Sequence, residues 1–256
     1  MRSILIYDHT FEGFLTCVFH TYENHLNEVT IQRKSLATTT FFDTYELIPS
    51  EEKKAKRVWK GLSRYVSSEV KNTIFKAFLS EIPTIEDTLL YYIRILISSE
   101  GKIAKNYSDP KILEVAKVVK MVRREKHRMD AFVRFRLTKE DIYFATIAPD
   151  FNVLPLNAKH FKGRYADQKW LIYDLKRNYG IYYDLKTVET VTIALDTAIT
   201  KNKNAALFFT AEEGQYENLW QQYFHSTNIA SRKNLKLHMR HVPKRYWKYL
   251  SEKAPR

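Results

Sequence analysis

Near residue 131 the apolar period of this chain changes from about 3.6 residues to two, and that switch constrains the fold most. Upstream, residues 110–129 place Ile112, Val115, Val119 and Val122 on one helical side. Downstream, residues 131–137 (AFVRFRL) alternate, and residues 142–147 (IYFATI) follow a short polar turn, which predicts a hairpin. Further strands are expected at 3–7, 38–48, 169–174, 180–184 and 187–194. Helices are expected at 11–25, 51–66, 68–80, 84–99, 157–165, 213–227, 231–241 and 243–250. Short strands in succession, bounded by runs of helix, predict an α+β fold. Its central sheet is antiparallel-rich with helices packed around it, and its N-terminal half is helix-rich. The chain reads as a single domain over 1–256. The alternative is a mixed part at 1–108 and a sheet-centred part at 109–256 that carries the basic C-terminal helices.

Charge is distributed unevenly. Segment 114–136 has eight Lys/Arg against three Asp/Glu, and segment 230–256 has nine against one. Their combined surplus equals the whole net charge of +13. Surplus concentrated in two places, one of them interleaved with Tyr and Trp, points to a polyanion, most often nucleic acid. On the first helix Lys117, Lys120, Arg124 and Arg128 form one row, and Arg134 and Arg136 fall on one face of the expected strand that follows. In the second segment Arg232, Lys236 and Arg240 repeat every four residues, and Lys244, Arg245, Tyr246, Trp247 and Lys248 mix cations with aromatics. Such a mixture meets phosphates by ion pairing and bases by stacking. The competing reading of the two rings, Tyr246 and Trp247, is that they anchor a terminal helix.

Residues 160–174 carry the densest set of polar functional groups. His160 and Arg164 are one turn apart on a short helix, and Tyr165, Asp167 and Gln168 lie at the helix-to-strand junction. With His127, residues His160 and Asp167 are the candidates for an acid/base or phosphate-orienting set; taken alone, Asp167 reads better as a cap on backbone amides. There is no Walker loop, dinucleotide glycine turn, nucleophile elbow or His-Glu-x-x-His motif. A single cysteine, Cys17, rules out an internal disulfide, a Cys-rich zinc site and the zinc-deaminase pattern. It lies in an apolar run and reads as a buried structural thiol. No metal and no cofactor is expected in the chain itself. No stretch approaches the roughly 20 apolar residues of a membrane span, so a cytoplasmic protein without membrane contact is expected.

Several blocks together resemble a bacterial family assigned to DNA metabolism or DNA repair and built on a domain of unknown function. They are residues 7–15 (YDHTFEGFL), 125–135 (EKHRMDAFVRF), 160–168 (HFKGRYADQ), 170–174 (WLIYD), 220–223 (WQQY), 232–234 (RKN) and 243–247 (PKRYW). The resemblance spans essentially the whole chain. It implies a radical-SAM partner that modifies or repairs DNA, and in some relatives a fused uracil-DNA glycosylase-like domain. No such fused domain is expected here, and a lone cysteine cannot ligate an iron–sulfur cluster, so that chemistry would belong to the partner. Three readings follow: a DNA-binding repair or modification accessory, an enzyme acting on a nucleic-acid base or backbone, and a scaffold for an acidic partner protein.

Overall fold

A computed structural model describes residues 3–36, 44–193, 208–210, 212–227 and 235–253. The chain divides into two compact units, Met1–Arg123 and Arg124–Arg256. The division falls inside the helix that spans Pro110–Phe132.

In the Met1–Arg123 unit, strand β1 (Ser3–Tyr7) leads through the Thr10 cap into helix α1 (Phe11–Glu23). The Thr10 hydroxyl accepts the Gly13 N–H at 2.9 Å, satisfying one of the helix's orphan donors. The chain returns as β2 (Val29–Arg33), which pairs parallel to β1, and β3 (Thr44–Leu47) pairs parallel on the other side of β1. The expectation of an antiparallel-rich sheet fails here. A strand that returns through a crossover helix arrives parallel, and α1 is such a crossover. Strand β2 has no counterpart among the strands expected from the sequence. Of the strand expected at 38–48, residues 37–43 lie outside the described residues.

Helices α2 (Glu52–Leu62), α3 (Ser68–Phe78) and α4 (Ile85–Ser98) follow. Phe11 packs edge-on against Trp59 and Phe75 at 5.2 and 5.0 Å and lies 5.1 Å from Phe78, which seals α1 against α2 and α3. Beneath this cluster Arg33 Nε donates to buried Glu86 at 2.6 Å, and the Tyr7 hydroxyl donates to the same carboxylate oxygen at 2.8 Å. Helix α5 (Pro110–Phe132) starts where Asp109 Oδ1 accepts the N–H groups of Lys111 and Ile112 at 2.8 and 3.1 Å. Proline in the first turn fits that start, since its missing N–H is not needed there.

The Arg124–Arg256 unit holds β4 (Arg136–Leu137), β5 (Tyr143–Ile147), α6 (Leu154–Arg164), β6 (Trp170–Asp174), β7 (Tyr179–Tyr183) and β8 (Val188–Val191). Helices α7 (Glu213–Thr227) and α8 (Leu235–His241) and a 3-10 turn (Lys244–Tyr249) complete it. The strands lie in the order β4-β5-β6-β7-β8. Every neighbouring pair is antiparallel except β5 and β6, which are joined by α6 and run parallel. The architecture is therefore mixed α/β: among the described residues the three-stranded sheet is parallel, and the five-stranded sheet is antiparallel in three of its four pairings, which meets the expectation of an antiparallel-rich sheet in part.

The strand expected over 131–137 is mostly not a strand. Helix α5 runs on to Phe132, and only Arg136 and Leu137 enter the sheet. Arg134 Nη1 donates to the carbonyls of Ala131 and Val133 at 2.7 and 3.2 Å, and so takes up acceptors that a helix end leaves free. The alternation instead delivers Phe135 into a ring cluster with Phe161, Tyr165 and Trp170, at 5.8, 5.3 and 6.5 Å. The helix expected at 231–241 is described from Leu235 onward; residues 231–234, including Arg232, lie outside the described residues. No helix among the described residues is long and apolar enough to cross a membrane.

Candidate functional site

The Arg124–Arg256 unit contains a cleft of about 940 Å³. Helix α5 supplies His127, Asp130 and Ala131, and the segment after it supplies Arg134, Phe135 and Arg136. Strand β5 contributes Tyr143 to Thr146, and α6 contributes His160 and Arg164, with Tyr165 and Gln168 beyond its end. Glu213, Tyr216 and Trp220 of α7 and Lys248, Tyr249 and Ser251 close the lining. The volume is at the upper end of the roughly 300–1,000 Å³ of small-molecule sites.

His127 and His160, remote in sequence, line this one cleft. Asp167 does not line it: the residue is exposed, and its carboxylate neither caps the end of α6 nor meets either imidazole among the described contacts. Two carboxylates line the cleft: Glu213, whose Oε1 accepts the Leu137 N–H at 2.7 Å, and Asp130. The Asp130 Oδ1 accepts the Asn157 amide at 2.7 Å and its Oδ2 accepts Lys126 Nζ at 2.5 Å. Asn157 is buried on α6, so these bonds fix α5 against α6 and place Asp130 in the cleft with one orientation. Sequence reasoning missed Asp130 because a Lys and an Asp four residues apart on a helix read as an ordinary surface pair.

The cations separate into engaged and exposed groups. Arg134 pairs through two nitrogens with Glu252, Nη2 at 2.8 Å and Nε at 3.3 Å, and the Trp220 indole N–H donates to the same carboxylate at 3.1 Å. Burial alone would raise the Glu252 carboxyl, but the Arg134 hydrogen bond and charge and the indole N–H outweigh it and hold its pKa below the ordinary value. Arg136 lies over the Phe209 ring at 3.7 Å, and Arg164 Nε meets the Tyr165 hydroxyl at 3.4 Å. Arg245 pairs with Asp150 at 2.6 Å and approaches Glu125 at 3.5 Å. Arg128 faces Glu125 at 3.5 Å and donates to the Arg240 carbonyl, also at 3.5 Å.

Glu125 is the centre of this last group. It is 1% exposed, accepts the Asp150 N–H at 2.9 Å, and takes a close hydrogen bond from the Tyr246 hydroxyl. Tyr246 is 1% exposed as well, so its ring is not available to stack on a base. Burial first, and the Glu125 hydrogen bond second, push its phenol pKa up. Trp247 is half-buried, with its indole N–H on the Val242 carbonyl at 3.0 Å and its ring 6.2 Å from His238. Both rings hold the C-terminal turn in place.

Through Glu125, Arg128 and Arg240 the two basic segments adjoin within this unit. Arg124, Lys236, Arg240 and Lys244 are exposed there, and their side chains have no ion pair among the described residues. Lys117 and Lys120 are exposed on the part of α5 that belongs to the Met1–Arg123 unit. That unit has its own groove of about 310 Å³, lined by Val70, Tyr92, Ile112 and Val119 with Lys105 and Arg123. Among the described residues no group of three or more His, Cys, Asp or Glu could hold a metal ion.

Comparison with known proteins adds a family. The sequence model of a domain of unknown function, DUF4130, matches residues 83–252. No curated protein matches the chain. A solved structure of a pGpG-specific phosphodiesterase, PggH from Vibrio cholerae, shares 8% identity at a TM-score of 0.35, over 80% of this chain and 97% of that one.

Proposed function

We propose that this chain, which belongs to the DUF4130 family, is a DNA-binding protein of DNA metabolism and repair whose phosphate contacts come from the Arg124–Arg256 unit. The observation that carries the reading is the adjacency of the two basic segments, with Arg124, Lys236, Arg240 and Lys244 left exposed and unpaired among the described residues. Cations that serve stability are engaged, as Arg134 and Arg245 are. Cations held apart from any carboxylate retain their charge for a polyanion. Arg164 and Lys248 extend this set into the cleft. Arg232 belongs to the same proposed set, and Lys117 and Lys120 would give the Met1–Arg123 unit phosphate contacts of its own.

The test is a salt titration of binding to single- and double-stranded oligonucleotides. Each neutralised phosphate contributes a slope of about −0.9 in log affinity against log salt on duplex DNA. Replacing Arg124, Lys236 and Arg240 by Ala together lowers the slope by about 2.7 if each neutralises one phosphate. Absence of binding to either form at low salt overturns the proposal. The family resemblance extends it to a radical-SAM partner, which would supply redox chemistry while this chain supplies grip. Co-purification of the two that survives nuclease treatment supports direct contact; loss on nuclease treatment leaves DNA as the bridge.

The placement of His127 and His160 in one cleft favours a second reading, an enzyme acting on a nucleic-acid base or backbone. Its measure is a mass change in an oligonucleotide incubated with the protein, abolished by His127→Ala or His160→Ala.

A further inference from the structure

A surface built only to grip phosphate has no use for a fixed carboxylate, yet Asp130 stands in the cleft with its side chain 13% exposed. Its two protein bonds occupy one acceptor direction on each oxygen, and an ionised carboxylate has about four. Acceptor capacity therefore remains on a group whose rotamer is set by Lys126 and Asn157. Lys126 offsets part of the Asp130 charge, so the carboxylate serves there as a hydrogen-bond acceptor rather than as a repelling charge. Arg164 and Lys248 line the same cleft and are the cations for the nucleotide's phosphate. Rings for the base are present in Tyr143, Tyr165, Tyr216 and Trp220, and base–aromatic stacking tolerates any base. A carboxylate does not. It accepts from an exocyclic amino group, as Asp and Glu do from cytosine N4. Thymine offers its one N–H between two carbonyl oxygens, which a carboxylate repels.

We infer that this cleft receives one unstacked nucleotide whose base carries an exocyclic amino group, read by Asp130. The inference rests on the DNA-binding reading and goes beyond it by naming the strand state and base class. An unstacked base is the only form whose hydrogen-bonding edge reaches a cleft of this kind.

The probe is a set of ten-residue oligo(dT) strands carrying dC, dA, dT or an abasic site at one central position. Binding is measured by fluorescence anisotropy for the wild type and for Asp130→Ala, which removes the acceptor altogether. The expected result is about tenfold tighter binding of the dC and dA strands than of the dT and abasic strands. The Ala variant narrows that gap without weakening the dT strand. Equal binding of all four by the wild type overturns the inference and leaves the DNA-binding reading standing. If none of these single strands binds at low salt, the inference is overturned, and the DNA-binding reading falls with it only when duplex DNA also fails to bind. The wild-type comparison needs no variant, so a poorly folded Asp130→Ala protein leaves it decisive. A gap that survives in a folded Asp130→Ala protein removes Asp130 from the role.

Discussion

Replacing Tyr246 by Phe removes one hydroxyl and keeps the ring, which packs 5.5 Å from Phe132. The lost hydrogen bond ends on a carboxylate that is 1% exposed, where a bond to a charged group is worth about 1.5–3 kcal/mol. Glu125 is not stripped bare, because the Asp150 N–H stays at 2.9 Å and Arg128 and Arg245 stay at 3.5 Å. The expected cost is therefore in the middle of that range, about 2 kcal/mol. For a unit of this size that lowers Tm by about 6 °C at about 3 °C per kcal/mol. The pH dependence carries its own sign. Tyr246 has a folded-state pKa above the ordinary phenol value of about 10, so its stabilisation is full below that pH and is lost as pH rises through the folded value. Tyr246→Phe should flatten part of the alkaline loss of stability. Differential scanning calorimetry from pH 7 to 11 measures both effects. A Tm change under about 1.5 °C, or an unchanged alkaline limb, would refute the claim that this bond ties the C-terminal turn to α5.

Three further outcomes are expected. Glu86→Ala leaves Arg33, 5% exposed, without its partner and should cost about 3–5 kcal/mol in the Met1–Arg123 unit, seen by urea denaturation. Gly101 has φ +76° and an added Cβ would lie 2.1 Å from the Tyr65 carbonyl oxygen, so Gly101→Ala should cost about 2 kcal/mol or more and lower the denaturation midpoint. Cys17 is fully buried, and burial pushes its thiol up to about 12, so iodoacetamide at pH 8 should label it only after unfolding; rapid native labelling would contradict its burial.

Periodicity was enough to find most helices, because α3, α4 and α5 each repeat an apolar stripe over several turns. Strands β6 and β7 were legible for a similar reason: both are apolar and aromatic, and in the structure Asp174 caps the turn between them through the Lys176 and Arg177 N–H groups. Strand direction was not legible. Parallel and antiparallel pairing bury the same side chains, and only the crossover through α1 or α6 decides between them. The end of α5 was misread because the alternation of Phe132 to Arg136 suits a strand as well as a helix end packed under Phe161 and Trp170.

The site divides in the same way. Composition and spacing by themselves determined that two segments carry the surplus charge, and that His127, His160 and Arg164 belong to chemically dense stretches. Charge can be counted along a chain, whereas availability cannot. Tertiary structure decided that Arg134, Arg245 and Tyr246 are engaged in internal bonds while Arg124, Lys236 and Arg240 remain exposed. It also decided that Asp130, and not Asp167, shares the cleft with the two histidines. The physical reason is that a polar group's role depends on which partners folding brings within about 3 Å of it, and those partners come from segments more than a hundred residues away, as for Arg134 with Glu252 and Tyr246 with Glu125.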